Sequence, residues 1–253
     1  MRAVLVIGIG AGDPEHLTLQ AVAAIGRVEV FLMVDKGEEK ADLAALRAQL
    51  LARHATPGHR VVTVPDPERD RQARRYEAAV VDWQDRREAL YERLIADELG
   101  EDGVAGLLVW GDPSLYDGTL RILDRIAGRK AVRFDVVSIP GISSVQALAA
   151  AHRLVLNRIG RPFTVTTGRR LAADGMPADV DDVVVMLDTR GAYTGLPDTD
   201  LDVYWGAYLA TPDEVLISGD LQQVKDEIRA TWTEHRARKG WIMDTYLLRR
   251  RPS

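Results

Sequence analysis

The residues best suited to chemistry fall in three short turns: Gly8-Ile9-Gly10-Ala11-Gly12-Asp13-Pro14, Gly111-Asp112-Pro113-Ser114-Leu115-Tyr116 and Pro140-Gly141-Ile142-Ser143-Ser144. Carboxylates and a phenol can move protons or steady a leaving fragment. Glycines, serines and open backbone let a bulky ligand approach the chain closely. Each turn follows an apolar run and opens a helical pattern. In open α/β sheets ligands bind outside the carboxyl ends of the strands. Three such turns in one N-terminal half therefore predict one site assembled from neighbouring strand ends.

The first turn does not read as a dinucleotide fingerprint. Its glycines fall at 8, 10 and 12 with Asp13 next, whereas that motif spaces them G-x-G-x-x-G. Asp35 lies near the distance at which the motif's acidic residue belongs, so the match is weak. No Gly-Lys-Ser/Thr follows, which excludes a Walker A loop. Two readings of Asp13 stand side by side. It can cap a helix begun by Pro14, or it can act on a substrate.

The elements that must hold these turns are legible as periodicity. Val4–Ile9 is a continuous apolar run, as expected for a strand buried on both faces. Further strands are predicted at Val28–Val34, Val61–Val64, Val104–Trp110 and Phe134–Ile139, alternating with helices at Leu17–Ile25, Ala41–His54, Leu115–Ile126 and Ser143–Ala151. That alternation predicts a parallel sheet. Beyond His152–Pro162 strands outnumber helices: Phe163–Thr167, Val183–Leu187, Val203–Leu209, Val215–Ser218 and Trp241–Leu248 surround a single helix at Leu221–Trp232. The reading is two α/β domains, 1–152 and 153–253, the second smaller and mixed.

Between Pro65 and Asp102, Tyr76, Val80, Trp83, Leu90 and Leu94 mark one face of a long helix, with Arg87 interrupting it. Arg69, Arg71, Arg74, Arg75, Arg86 and Arg87 alternate with acidic residues there. Mixed signs usually mean a solvated face; the other reading has a few arginines fork onto substrate carboxylates.

Composition narrows the class. The 253 residues carry a formal charge of −5, which disfavours a nucleic-acid surface. There is no cysteine, hence no disulfide, thiolate nucleophile or Cys-based metal site. The five histidines form no H-x-x-x-H pair, and no metal is expected. No apolar run approaches the ~20 residues of a membrane span, and the first strand starts without a signal peptide. A soluble, cytoplasmic protein is expected.

The three turns, in this order and context, resemble those of the tetrapyrrole (corrin/porphyrin) methylases over nearly the whole chain, from Val4 to Leu248. Ser114-Leu115-Tyr116 resembles the precorrin branch. Ser144–Ala150, Leu156–Gly160, Thr166–Leu171, Asp35-Lys36-Gly37, Asp117-Gly118-Thr119 and Gly206-Ala207-Tyr208 resemble the members that methylate and deacetylate together. Trp110 departs from the small residue many relatives carry. The resemblance implies a two-domain homodimer with a ligand cleft between its domains. It would bind S-adenosyl-methionine, release S-adenosyl-homocysteine, and methylate C-1 of precorrin-5 with loss of acetate. Methylation of another precorrin carbon, or of rRNA or a translation factor, is the alternative within the same fold. Carried over by position, the cofactor contacts would be Gly111, Asp112, Leu115, Ser143, Ser144, Met186 and Ala210. The N-terminal glycine loop would line a trough for the tetrapyrrole, with Asp13, Asp35 and Tyr116 as catalytic candidates and His16 and Lys36 nearby. Ser143 and Ser144 read equally as helix caps, Met186 as core, His16 as helix surface and Tyr116 as packing.

Overall fold

Strand β1 (Arg2–Gly8) is apolar along its length because both its faces are covered. Val4 and Val6 enter one layer, Leu5 and Ile7 the other, as the two-residue period of a strand requires. The computed structural model describes residues 1–35, 41–68 and 76–252, leaving aside the side chains of 35, 41–43 and 76–80.

Around β1 the first unit builds α1 (Leu19–Ile25), β2 (Val30–Asp35), α2 (Ala41–His54), β3 (Arg60–Pro65), α3 (Tyr76–Glu98), β4 (Val104–Val109), α4 (Thr119–Arg129) and β5 (Phe134–Ile139). The five strands are parallel in the order β3-β2-β4-β1-β5. One face carries α1 and α2, through Ala21, Ile25, Leu46, Leu50 and Leu51. The other carries α3 and α4, through Tyr91, Leu94, Ile95, Ile122, Leu123 and Ile126. This confirms the parallel α/β expectation.

The charged helix is less solvated than its sequence suggests. Glu88 is only 1% exposed. It accepts from Arg125 at 2.8 Å and from Arg129, both reaching across from α4. Arg87 pairs with Asp66 at 3.0 Å and lies over the rings of Trp83 and Tyr91. The energetics are asymmetric, because an unpaired buried charge costs more than freed surface arginines. Removing both arginines (R125A/R129A) is expected to cost about 3–5 kcal/mol. Glu88→Leu, which returns two half-exposed guanidiniums to water, should cost clearly less. Urea unfolding of the two variants decides; a Glu88→Leu loss as large as the double variant's would refute the asymmetry.

The second unit contains α5 (Ser144–Ala151), β6 (Phe163–Thr167), α6 (Gly168–Asp174), β7 (Asp182–Met186), β8 (Leu201–Ala207), β9 (Val215–Asp220), α7 (Leu221–Lys239) and β10 (Asp244–Arg250). Its sheet runs β6-β7-β10-β8-β9. Only β6 and β7 are parallel; β10 inserts antiparallel between β7 and β8. Trp205, Tyr193 and Tyr246 anchor its core, with Leu171 of α6 and Leu221 and Ile228 of α7. Helix α6 is absent from the sequence expectation. At seven residues it is too short to show a period, and its signals are the capping Thr167 and the left-handed Gly175.

The division into units falls after Ile142 rather than at 152, and Ala11–Asp13 group with the second unit. Helix α5 goes with the second sheet because Thr245 of β10 donates to Ser144 Oγ at 3.0 Å and His152 Nε2 meets the carbonyl of Trp205 at 3.0 Å. No helix among the described residues is long and apolar enough to cross a membrane.

Candidate active site

The order β4-β1-β5 sets the three turns side by side, since each follows the carboxyl end of one of these strands. Their backbones touch. Gly111 N donates to Gly10 O at 2.8 Å, and Gly10 N donates back to Gly111 O at 3.3 Å. A Cβ on Gly141 would stand 2.1 Å from Gly111 O and 2.8 Å from Gly8 C. A Cβ on Gly8 would stand 2.6 Å from Gly141 N. Gly8 and Gly141 are therefore required by close backbone approach, and Gly111 by its left-handed φ of 69°.

Asp112 ties the second turn to the third. One carboxylate oxygen accepts from Gly141 N at 2.9 Å; the other accepts from Ser114 N at 2.8 Å and from the Ser114 hydroxyl. Partial burial pushes its pKa up, but the three donors outweigh it and hold the group below the ordinary carboxylate range. Leu115 N donates to Asp112 O at 3.2 Å. Tyr116 follows in the left-handed region at φ 53°, with its side chain exposed. Desolvation raises its phenol pKa. The helix predicted from Leu115 begins at Thr119 instead, because Asp117 turns back to accept from Thr119 N at 2.7 Å.

The helix expected from Pro14 is interrupted. Pro14–His16 is a three-residue 3-10 turn, and α1 starts at Leu19. Its cap is Thr18, whose hydroxyl accepts from Ala21 N at 3.0 Å. Asp13 sits instead beside Gly12, which has φ 155° and fits against the Leu209–Thr211 turn; a Cβ there would meet Thr211 Cγ2 at 2.4 Å. His16 closes the 3-10 turn. The backbone of Asp35 ends β2 opposite Pro65. Its side chain, and all of Lys36, lie outside the described residues.

In the second unit the remaining candidates gather at one edge of the sheet. Met186 ends β7 and pairs with Thr245, which also pairs with Gly206. Ser144 meets the same Thr245. Ser143 is the N-cap of α5, accepting from Val145 N at 3.1 Å, so the capping reading of this residue holds. Ser144 is the helix's first residue rather than its cap. Ala210 lies just past β8, its N–H donating to Glu214 at 2.8 Å. Leu187, Tyr208 and Ala210 have φ of 54°, 49° and 60°. Such left-handed non-glycine residues store strain of order 1 kcal/mol each and concentrate at functional sites.

Sequence reasoning missed the buried polar residues behind this edge. Asp188 accepts from Arg190 N and Gly191 N at 3.0 Å, and from Ala192 N and the Tyr246 hydroxyl at 2.7 Å. It thus pins the turn that follows Met186. Asp244, opening β10, accepts from Trp205 Nε1 at 2.9 Å. Its carboxyl is enclosed although the residue keeps some surface, and burial, with Asp188 adding repulsion, pushes its pKa up to about 7. Tyr246 is raised well above the usual phenol range, first by burial and then by Asp188.

Several proteins match this chain over nearly its full length. A deacetylating precorrin-6A synthase from a Sinorhizobium species is 45% identical over 251 residues, 99% of this chain and 96% of that protein. A solved structure from Corynebacterium diphtheriae, described as a cobalamin synthesis related protein (CobF), superposes with a TM-score of 0.85 at 37% identity, covering 99% of both chains. A uroporphyrin-III C-methyltransferase from Thermus thermophilus, solved with S-adenosyl homocysteine, has the same fold at a TM-score of 0.58 and 21% identity, over 97% of this chain and 91% of that one. The model of the tetrapyrrole (corrin/porphyrin) methylases matches residues 3–225. By that match and by a relative of nearly equal length, the chain belongs to the tetrapyrrole (corrin/porphyrin) methylase family.

Proposed function

We propose that this chain is an S-adenosyl-methionine-dependent C-methyltransferase of corrin-ring biosynthesis, which methylates C-1 of precorrin-5 and releases acetate to give precorrin-6A. The observation that carries the reading is the 45% identity to a deacetylating precorrin-6A synthase across both chains. The same reading makes the enzyme cytoplasmic and homodimeric; gel filtration at twice the chain mass tests the dimer.

The residues present suit such a methyl donor. Glycines at 8, 111 and 141 let the three strand-end turns pack backbone against backbone, and Asp112 stays ionised to hold their arrangement. Gly111, Asp112 and Leu115 from the first unit, and Ser144, Met186 and Ala210 from the second, would hold the cofactor, with Ser143 fixing the start of α5. The cofactor supplies a methyl group already activated on a sulfonium. The protein's task is then orientation and exclusion of water.

Deacetylation needs more. A water oxygen adds to the acyl carbon, and the bond from that carbon to the ring breaks. Its electron pair stays with the ring, and acetate leaves. Asp13 and Asp35 are the candidate carboxylates for the water's proton. Tyr116, with its phenol pKa raised, would serve as a hydrogen-bond donor to the leaving fragment rather than as a base.

Incubation with isotopically labelled S-adenosyl-methionine and precorrin-5, followed by mass spectrometry, tests the scheme. Methylated product and acetate should appear one to one, and neither without the methyl donor. Tyr116→Phe should slow acetate release more than methyl transfer. Acetate formed from precorrin-5 without a methyl donor would overturn the coupled reaction.

A further inference from the structure

The parallel sheet of the first unit opens at its ligand-binding edge. Strands β1 and β4 pair over six residues, as do β2 and β3. Strands β2 and β4 pair over only two, Val30 with Ala105 and Phe31 with Gly106. Beyond Phe31 and Gly106 they share no ladder, and this is the half of each strand that leads to the loops. The loops after β2 and β4 also lead to helices on opposite faces, α2 to one and α4 to the other. A crevice at such a change of direction is where open α/β sheets take their ligands.

One guanidinium occupies this notch. Val109 O accepts from Ile9 on β1, so the alternation of carbonyls along a strand turns Leu108 O toward β2. The ladder has ended there, and Leu108 O receives Arg47 Nη2 at 3.5 Å, a long bond. Arg47 Nε is buried with no hydrogen-bond partner among the described residues, and no carboxylate among them forms an ion pair with Arg47. Asp117, whose charge reaches Arg47, accepts from Thr119 N at 2.7 Å. Tyr91 is a phenol kept protonated by burial. Burial likewise lowers the Arg47 pKa, with Tyr91 and Asp117 only partly offsetting it.

A partly buried cation whose Nε is closed off from water and lacks a contacting counter-charge is held at a cost. It persists where something other than the resting fold needs it, and a guanidinium fork matches a carboxylate. We propose that Arg47 is a substrate-binding residue, holding one carboxylate arm of the tetrapyrrole in the notch between β2 and β4. This rests on the methyltransferase reading above, since it is the corrin precursor that brings the carboxylates.

The test compares R47M and R47K with wild type, using precorrin-5 as probe. The KM for precorrin-5 should rise roughly 30-fold or more in R47M, the lower end of the cost of truncating one partner of a buried charge pair. The turnover number and the affinity for S-adenosyl-methionine should stay within about twofold. R47K keeps the charge but loses the fork, and should fall between. Methyl-esterified precorrin-5 supplies a readout that a purely structural role would not move: wild type should lose affinity on esterification, and R47M should bind acid and ester nearly alike. An unchanged KM in folded R47M, or equal losses of turnover and cofactor affinity, would overturn the proposal. Should R47M fail to fold, R47K decides, with wild-type KM overturning it. A wild-type enzyme that neither binds nor methylates precorrin-5 would instead refute the function reading.

Discussion

Gly141→Ala is expected to abolish methyl transfer and to destabilise the protein by about 3 kcal/mol or more, the upper end for forcing a methyl into packed surroundings. The added Cβ would stand 2.1 Å from Gly111 O, 2.8 Å from Gly8 C and 2.9 Å from Gly8 Cα. All three are backbone atoms, so no side chain can swing away. Gly141 is not in the left-handed region, so the penalty is one of contact and not of conformation. Relief would part the third turn from the first two, and would break the bond from Gly141 N to Asp112. Gly128→Ala is the control. It lies in α4 with nothing within 4 Å of its Cβ position, and should gain about 0.5–1 kcal/mol from helix propensity. Urea unfolding and a methyl-transfer assay measure both. A Gly141→Ala chain with wild-type stability would show that the junction yields cheaply and does not define the site.

That junction also marks how far the sequence carries. The strands of the first sheet are legible because burial on both faces leaves long apolar runs. β5 falls at the residues the pattern predicts, and β1 within two residues at each end. The gathering of three turns is legible too, because parallel α/β topology puts every strand's carboxyl end on one edge. Which strands are neighbours is not written in any local pattern. The order β3-β2-β4-β1-β5 arises from tertiary packing, and only that order brings Gly8, Gly111 and Gly141 together. Asp-Pro is a sound helix-start signal, and a turn does begin at Pro14, but it is a 3-10 turn of three residues, and α1 starts only after Thr18.

The second unit hides more. Met186, Ser144 and Ala210 could be named by resemblance, whereas Thr245, which touches or pairs with two of them, is an ordinary strand threonine until β10 is known to run between β7 and β8. Arg47 is equally silent. In sequence it is one surface-like helical arginine among many, set just after Leu46, and only the early end of the β2–β4 ladder leaves it partly buried. The charged helix errs the other way. Its alternating signs read as solvated, yet Glu88 is buried because two arginines of α4, 37 and 41 residues away, close over it.

Between about pH 5 and 8 the stability of the protein is expected to fall as pH rises, and Asp244→Asn should flatten that fall. The Asp244 carboxyl has a pKa near 3.8 when unfolded and about 7 when folded, chiefly because burial disfavours its charge. The Trp205 indole is its one side-chain donor among the described residues, and the nearby Asp188 adds repulsion. A folded chain that holds this proton binds more protons than the unfolded chain between those two pKa values. Stability therefore is greatest below the unfolded value and is lost as pH climbs toward and through about 7. At about 1.4 kcal/mol per pKa unit, the loss can reach a few kcal/mol by pH 8. Asp112, Asp213 and Asp220 shift the opposite way, so their contributions vanish only as pH falls below about 4 and do not enter this window. Asn at 244 keeps an acceptor for Trp205 and cannot ionise. Asp244→Asn should then exceed wild type by clearly more at pH 8 than at pH 5, the two converging only below about pH 4. Urea unfolding at the two pH values, with carbon-13 titration of the carboxyl, measures it directly. Parallel pH slopes for the two proteins would show that Asp244 ionises freely in the fold. Because Asp244 opens the strand whose next residue, Thr245, meets Ser144 and pairs with Met186, its ionisation at pH 8 should also loosen that edge. S-adenosyl-methionine affinity should weaken with pH in wild type and hold steady in Asp244→Asn.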